Sequence, residues 1–129
     1  MYNIFLDDIR KPSDVTWIEL PPYSWVIVRS YAEFIETILT RGLPITVSFD
    51  NDLHPTHYQF YKSMSEDGRT RYPYEQCLVK TGYHCAQWLV KYCLDRKLNL
   101  PYYIIHTFNP VAREDISALL KSYERRPRI

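Results

Sequence analysis

The sequence predicts a small α/β domain with a mainly parallel, four-stranded sheet and helices on its faces. Four short apolar runs, at residues 2–6, 25–28, 43–49 and 102–106, have the length and composition of buried strands. Segments with the apolar periodicity of helices alternate with them, which is typical of a parallel sheet. The 129 residues, 46% of them hydrophobic, are enough for one core.

In the first half of the chain, two predicted strands end on aspartate. Residues 2–6 run into Asp7 and Asp8, and residues 43–49 run into Asp50. Prolines bracket residues 12–22, which we expect to be mainly irregular, and residues 25–28 form the second strand. Ser30 begins a helix by a capping-box pattern, and Gly42 ends it. The predicted buried face of this helix consists of Phe34, Ile35, Ile38 and Leu39.

The second half begins with a long polar and aromatic segment at residues 51–80, which we expect to form a flap or rim over a site, with residues 63–70 as an exposed loop. Thr81 caps the next helix, and Asn109 with Pro110 begins the last one. The apolar stripe of the first of these helices is Cys85, Trp88, Leu89, Tyr92 and Cys93, and that of the second is Ile116, Leu119, Leu120 and Tyr123. We expect the tail at residues 125–128 to be frayed.

The charge balance excludes general binding to DNA or to membranes. Sixteen basic residues nearly cancel fifteen acidic ones, so a charged partner must be recognised locally. The sequence has no apolar run of membrane-spanning length and no basic, signal-like start, so we expect a cytoplasmic protein. Its three cysteines lack metal-binding spacing and are interpreted as reduced core thiols.

The strand-end aspartates predict a metal site. In open parallel sheets, ligands bind beyond the carboxyl ends of the strands, where Asp7, Asp8 and Asp50 would gather. Such a cluster suits Mg²⁺ or Mn²⁺ holding a phosphate oxygen, and Asp52 is a further candidate ligand. The alternative is that these acids only end their strands and face solvent.

Other polar residues near the same edge suit phosphate chemistry. His106 ends the fourth strand and is the candidate acid or base, although it could instead only bond to loop backbone. Asn109 and Arg113 lie at the start of the last helix, where an anion can bind, but capping alone would also explain Asn109. Arg10 could pair with the aspartates or reach the substrate, and Thr81 is a further candidate for binding phosphate.

Two other interpretations concern residues 51–80. His54 and His57 could bind zinc, but Pro55 between them favours a turn. Base stacking or simple packing would each explain the aromatic cluster formed by Tyr58, Phe60, Tyr61, Tyr72 and Tyr74. With three glycines in all, the chain has no Gly-rich phosphate loop and no nucleophile elbow.

Four blocks of sequence carry a family resemblance. They are LDDIRKP at residues 6–12, SFDNDL at 48–53, TGYHCAQWL at 81–89 and HTFNPVAR at 106–113. Together, and in this order, they resemble the cyclic-phosphate-processing receiver-like family. Asn51 and His84 depart from the family pattern, in which these positions are often His and Asp.

The resemblance implies a single domain over residues 1–129, with a receiver-like (flavodoxin-like) three-layer fold and the insertion at 51–80. It also implies the processing of cyclic phosphates of RNA ends or nucleotides, and together with the strand-end aspartates this predicts a metal-dependent phosphoesterase. In this hypothesis Asp7, Asp8 and Asp50 hold the ion, His106 moves the proton, and Asn109 with Arg113 holds the phosphate. Damaged RNA ends are a recurring substrate in bacteriophages and their hosts, which this activity would suit.

Two other classes of function remain open. In a phosphoacceptor signalling module, Asp50 would take a phosphoryl group, but no fifth strand or strand-end lysine follows the last helix. In a binding protein, the chain would sequester a nucleotide or a protein partner without chemistry.

Overall fold

Four parallel strands form the sheet: β1 (Asn3–Leu6), β2 (Trp25–Val28), β3 (Thr46–Phe49) and β4 (Tyr102–Ile105), in the order β2-β1-β3-β4. The computed structural model describes residues 1–59, 62 and 72–126. Within these residues, the helices of more than ten residues are α1 (Tyr31–Arg41), α2 (Gly82–Arg96) and α3 (Pro110–Arg125). The predicted α/β class and parallel sheet are confirmed.

The register of the strands aligns their carboxyl ends. Leu6 pairs with Phe49, and Phe49 pairs with Ile105. The next residue of each strand is therefore Asp7, Asp50 or His106, and these three emerge side by side at one edge of the sheet.

Each helix begins at a side-chain cap, as the sequence predicts. Ser30 Oγ accepts a hydrogen bond from the Glu33 N–H at the start of α1. The Thr81 hydroxyl and the His84 ring form a reciprocal box at the start of α2. Asn109 Oδ1 accepts from two backbone N–H groups of the first turn of α3. At the end of α1, Gly42 has a φ of 83°, a conformation that favours glycine.

All three helices pack on one core with alternate strand residues. Ile4, Leu6, Val47 and Phe49 contribute from the sheet, and α1, α2 and α3 contribute Phe34, Ile38, Cys85, Leu89, Cys93, Ile116 and Leu120. Phe5 points to the opposite face, where its ring stacks on His106 and meets Trp25 edge-on. On that face Phe5 is therefore covered by the ring of Trp25 from β2 and by the ring of His106.

Two predictions about the first half are corrected. Leu39 is 60% exposed because Phe34 and Ile38 alone occupy the fully buried positions of α1, and Ile35 only borders the core. Residues 43–45 precede β3 instead of belonging to it; Pro44 has no N–H to donate, and the Ile45 N–H bonds to Tyr2 O. Strand β1 begins at Asn3, and β4 ends at Ile105.

Between β3 and α2, residues 55–59 are helical, and Tyr74–Gln76 forms a 3-10 turn. The predicted exposed loop at 63–70 lies outside the described residues, as do residues 127–128 of the tail. Arg126 of that tail donates to the Tyr123 hydroxyl. Cys85 and Cys93 are buried free thiols, and Cys77 is half-buried and free. Within the part of the chain that the structure describes, no helix is both long and apolar enough to cross a membrane.

Candidate metal and phosphate site

Asp7, Asp50 and His106 converge at the carboxyl edge of the sheet. One ligand atom from each lies within 4.8 Å of the other two, and all three side chains are buried. The structure therefore brings together three of the residues that the sequence singled out. Two carboxylates with an imidazole are a donor set for a divalent cation.

Asp7 is held as an ionised carboxylate. Its Oδ1 accepts from the Ile9 N–H at 3.1 Å and the Arg10 N–H at 2.8 Å, and its Oδ2 lies 3.0 Å from His106 Nε2. Burial acts to raise the pKa of Asp7, but the hydrogen bonds from His106 and from the two backbone groups outweigh it and lower the pKa. Asp7 thus carries its negative charge inside the fold.

Asp50 is in the opposite situation. Its Oδ1 accepts from the Asn51 N–H at 2.8 Å, whereas its Oδ2 is buried without a hydrogen-bond partner among the described residues. Burial, and then the nearby charges of Asp7 and Asp52, raise the pKa of Asp50 well above that of an ordinary carboxyl group. A buried oxygen with no donor is an unusual feature that a bound cation would explain.

The other two predicted acids surround this pair. Asp8 is half-buried, its Oδ1 also has no hydrogen-bond partner in the described part, and burial followed by the charge of Asp7 raises its pKa. Asp52 is buried and its Oδ1 accepts from the Tyr72 hydroxyl at 3.0 Å and from Asn51 Nδ2 at 3.4 Å. Burial raises the pKa of Asp52. Asp8 therefore has a spare oxygen for a cation, whereas Asp52 is tied to its neighbours.

His106 is fixed in one tautomer. Since Asp7 is ionised and can only accept, Nε2 must carry the proton that it shares with Asp7 Oδ2. Burial lowers the pKa of His106, so the ring is neutral and Nδ1 accepts from the Ser48 hydroxyl at 2.7 Å. The Trp17 indole N–H donates to the His106 carbonyl at 2.8 Å, so backbone and ring are both held. The Nε2 proton of His106 therefore faces Asp7.

Ser48 was missed by the sequence reasoning. It is a polar residue in a strand whose four positions are all buried, and that mismatch was the available signal. Its partner could not be identified without knowing that β3 and β4 are neighbours.

Arg10 supplies the positive charge next to the acids. Its Nη1 lies 3.7 Å from Asp7 Oδ2 and 4.0 Å from Asp50 Oδ2, and its guanidinium lies 5.1 Å from the centroid of the Trp17 ring. Arg29 donates to the Arg10 carbonyl at 2.6 Å and to the Asp7 carbonyl at 3.2 Å, which holds the turn in place. Of the two roles expected for Arg10, the structure shows pairing with the acids.

The predicted phosphate-binding residues at the helix starts differ in whether they can reach a phosphate at the acid cluster. Asn109 is buried, and its Nδ2 has no hydrogen-bond partner in the described residues, although it is close enough to Asp52 to lower the pKa of that acid. Thr81 is buried as a helix cap. The Arg113 side chain is exposed and donates to the Thr107 carbonyl at 2.9 Å, with no contact to the acid cluster. Capping explains Thr81, and Asn109 retains one unused donor.

The junction between β3 and α2 is tightly packed beneath Asp50. The Gly82 N–H donates to Asn51 O at 2.8 Å, and the Tyr83 N–H donates to Asn51 Oδ1 at 3.1 Å. A Cβ on Gly82 would lie 1.7 Å from Asp50 O, so only glycine fits. Asn51, one of the two departures from the family pattern, therefore ties the strand to the helix.

His57 is engaged within the protein on both nitrogens. Its Nδ1 accepts from the Leu53 N–H at 2.8 Å, and its Nε2 donates to Val79 O at 2.7 Å. These bonds leave no lone pair for zinc in this arrangement. Of the aromatic cluster, Tyr72 is buried and Tyr74 stacks on Tyr83, whereas residues 60 and 61 lie outside the described part.

Comparison with known proteins bears on this edge of the sheet. A family model described as cyclic-phosphate processing receiver domain matches residues 2–122. The chain has no significant match to a curated protein or to a solved structure. The family match includes every strand and the whole acid cluster, and the parallel α/β fold agrees with it. The chain therefore belongs to the cyclic-phosphate processing receiver domain family.

Proposed function

We propose that this protein is a metal-dependent phosphoesterase that opens cyclic phosphates. The observation that carries the proposal is the buried Asp50 Oδ2, which lacks a donor although a carboxylate oxygen of Asp7 lies within 4.8 Å of an Asp50 oxygen. Burying such a carboxylate without a partner is costly, and a cation would remove the cost.

The residues present fit a hard divalent ion such as Mg²⁺ or Mn²⁺. Asp7 and Asp50 would hold it, and the unpartnered Oδ1 of Asp8 makes that residue the third candidate ligand. When bound, such an ion polarises a phosphate oxygen and offsets the charge that develops there.

The other roles belong to groups of the chain itself. His106 carries a proton on Nε2, on the side of the acids, and Ser48 keeps it there by donating to Nδ1. Ring opening adds one water to the phosphorus as one P–O ester bond breaks, and the proton that the water loses must end on the ester oxygen that leaves. His106 is proposed to relay this proton, taking one up at Nδ1 through the Ser48 hydroxyl as it gives up the one at Nε2, so that the imidazole stays neutral. Arg10 and the unused Nδ2 of Asn109 are proposed to bind the phosphate oxygens.

The test is release of a ring-opened product from a short RNA that ends in a 2′,3′-cyclic phosphate. Turnover is measured with Mg²⁺, with Mn²⁺ and with EDTA, for the wild type, for Asp50→Asn and for the control Glu36→Gln, whose side chain is exposed on α1. We expect a metal-dependent rate that falls at least about 100-fold in Asp50→Asn and is retained in the control. Equal turnover with EDTA, or equal turnover by Asp50→Asn, would refute the proposal.

Metal binding is measured separately from turnover. We expect Mg²⁺ or Mn²⁺ to raise the unfolding temperature of the wild type, as any ligand of the native state does. The rise should disappear in Asp50→Asn. A phosphoacceptor would instead be labelled on Asp50 by acetyl phosphate, and a sequestering protein would return the cyclic phosphate unchanged.

A further inference from the structure

Two adjoining clefts lie beside α2, next to the acid cluster. The first, the tyrosine cleft, has a volume of about 450 Å³ and is lined by Tyr72, Tyr74, Glu75, Tyr83, His84, Gln87 and Asp115. The second, the lysine cleft, has a volume of about 240 Å³ and is lined by Tyr31, Lys80, His84, Gln87, Trp88 and Lys91. His84 and Gln87 belong to both, so the clefts share a wall.

The tyrosine cleft suits a flat, uncharged group. The Tyr74 ring stacks on Tyr83 with centroids 4.2 Å apart, and its hydroxyl donates to Asp115 Oδ2 at 2.8 Å. The carboxylates of Glu75 and Asp115 would repel a phosphate in this cleft, whereas the ring surfaces and the Gln87 amide suit a nucleobase.

The lysine cleft has the opposite chemistry. Lys80 is exposed and makes no ion pair within the described part of the chain, and Lys91 is paired only with the exposed Asp95 at 3.0 Å. Tyr31 and Trp88 line the same cleft as the two lysines. An anion such as a backbone phosphate fits this cleft.

The two clefts continue from the acid cluster. Tyr72, in the tyrosine cleft, donates to Asp52 Oδ1 at 3.0 Å, and Asn51, next to Asp50, accepts from the Tyr83 N–H at 3.1 Å. The tyrosine cleft therefore adjoins the acid cluster through Tyr72 and Tyr83, and it adjoins the lysine cleft through His84 and Gln87. Adjoining sites for a phosphate, a base and a second phosphate match the repeat of a nucleotide chain.

We infer that the clefts bind the 3′ end of single-stranded RNA, with the terminal base in the tyrosine cleft and the preceding backbone phosphate in the lysine cleft. The inference rests on the proposed function only in placing the cyclic phosphate at the acids. It names the substrate class: an RNA end of at least two nucleotides is preferred to a free cyclic mononucleotide.

Binding is tested without chemistry. The affinity of fluorescein-labelled pentauridylate with a 3′-hydroxyl end is measured by anisotropy in EDTA, over a range of salt concentrations. We expect Lys80→Ala to weaken binding and to reduce the salt slope by about 0.7, the loss of one phosphate contact. Gln87→Glu should weaken binding and Gln87→Lys should strengthen it, whereas Lys121→Ala, a matched exposed lysine on α3, should have no effect.

The base is tested with the same RNA lacking its 3′-terminal base. Because stacking of one base is worth a 5-fold to 100-fold change in affinity, to order of magnitude, the abasic RNA should bind weaker by about that factor. An equal affinity for the two RNAs would mean that the tyrosine cleft does not bind the terminal base. Affinity unaffected by Lys80→Ala and by both Gln87 variants would overturn the inference as a whole.

The failure of the inference differs from that of the proposed function. If kcat/KM is equal for a cyclic mononucleotide and for the cyclic-ended pentamer, the preference for RNA is refuted. The proposed esterase activity would be unaffected by that result. If RNA binding depends on Lys80 but no metal supports turnover, the proposed esterase activity is refuted. The proposal that the two clefts bind RNA would stand.

Discussion

Replacing Gly82 by alanine tests how closely the start of α2 approaches the strand end that carries Asp50. The added Cβ would lie 1.7 Å from Asp50 O, 2.8 Å from Asp50 C and 2.9 Å from Asn51 Cα. All three are backbone atoms, so no side chain can turn away to relieve the contact. Reaching the 3.0 Å that real Cβ contacts require means moving the strand end and the helix apart by about 1.3 Å.

Two effects of Gly82→Ala oppose each other. Helix propensity favours alanine by up to about 1 kcal/mol, whereas overpacking against a fixed backbone costs about 1–3 kcal/mol. We expect the clash to prevail, since it also strains the bond from the Gly82 N–H to Asn51 O. A displacement of about 1 Å at a reacting group costs on the order of 100-fold in rate, so turnover should fall by that factor.

The measurement is the free energy of unfolding in urea together with cyclic-phosphate turnover. Gly42→Ala is the matched control, because φ at Gly42 is 83° but nothing lies within 4 Å of the new Cβ. It should cost about 1–3 kcal/mol through backbone strain, with turnover retained. If Gly82→Ala is as stable as the wild type, or more stable, the close approach is wrong. If it is destabilised but fully active, the link to Asp50 is wrong.

Three further predictions concern single residues. Burial, together with the charge of Lys80, lowers the pKa of His84 from 6.5 to about 4, so this residue contributes stability that is fully present above pH 6.5 and is lost as the pH falls toward 4. Because His84 is only half-buried and solvent screens its charge, the loss should be well below the roughly 3 kcal/mol of the full shift, and it should be smaller still in His84→Gln, as urea titrations at each pH will show. Ser48→Ala should cost about 1–3 kcal/mol and should mix the His106 tautomers seen by ¹⁵N NMR, with a changed pH profile of kcat; Ser48→Thr should restore both, and an unchanged tautomer would contradict the assignment. Ile38→Ala should cost about 2–5 kcal/mol, and Leu39→Ala at most about 0.5 kcal/mol, in thermal unfolding; equal costs would place Leu39 in the core after all.

The sequence was sufficient for the elements whose signal is local. Ser30, Thr81 and Asn109 each cap the helix that they were predicted to cap, because a cap depends on residues within one turn. The predictions for Leu39 and for residues 43–45 were wrong because these features do not depend on local sequence alone. Which of two adjacent apolar residues enters the core, and where a strand begins to pair, depend on neighbours that are distant in the sequence.

The candidate site divides in the same way. The placement of Asp7, Asp50 and His106 followed from one rule about the carboxyl ends of parallel strands. The Ser48 contact to His106, the Arg10 bridge and the space at Gly82 join residues up to 58 positions apart, so the strand order had to be known first. Arg113 shows the limit of the rule, because a residue one turn into a helix can face away from the site that the helix start borders.

The charges around Asp50 favour a divalent ion over a purely protein-made balance. Asp7 remains ionised, while burial and mutual repulsion raise the pKa of Asp8 and Asp50. The Arg10 guanidinium offsets part of this charge, but at 3.7 and 4.0 Å it lies beyond hydrogen-bond distance and leaves Asp50 Oδ2 without a donor. An ion held by Asp7 and Asp50 would both neutralise the carboxylates and occupy that lone pair. Arg10 would then be free to pair with a phosphate, which is why we expect metal and substrate to bind more tightly together than apart.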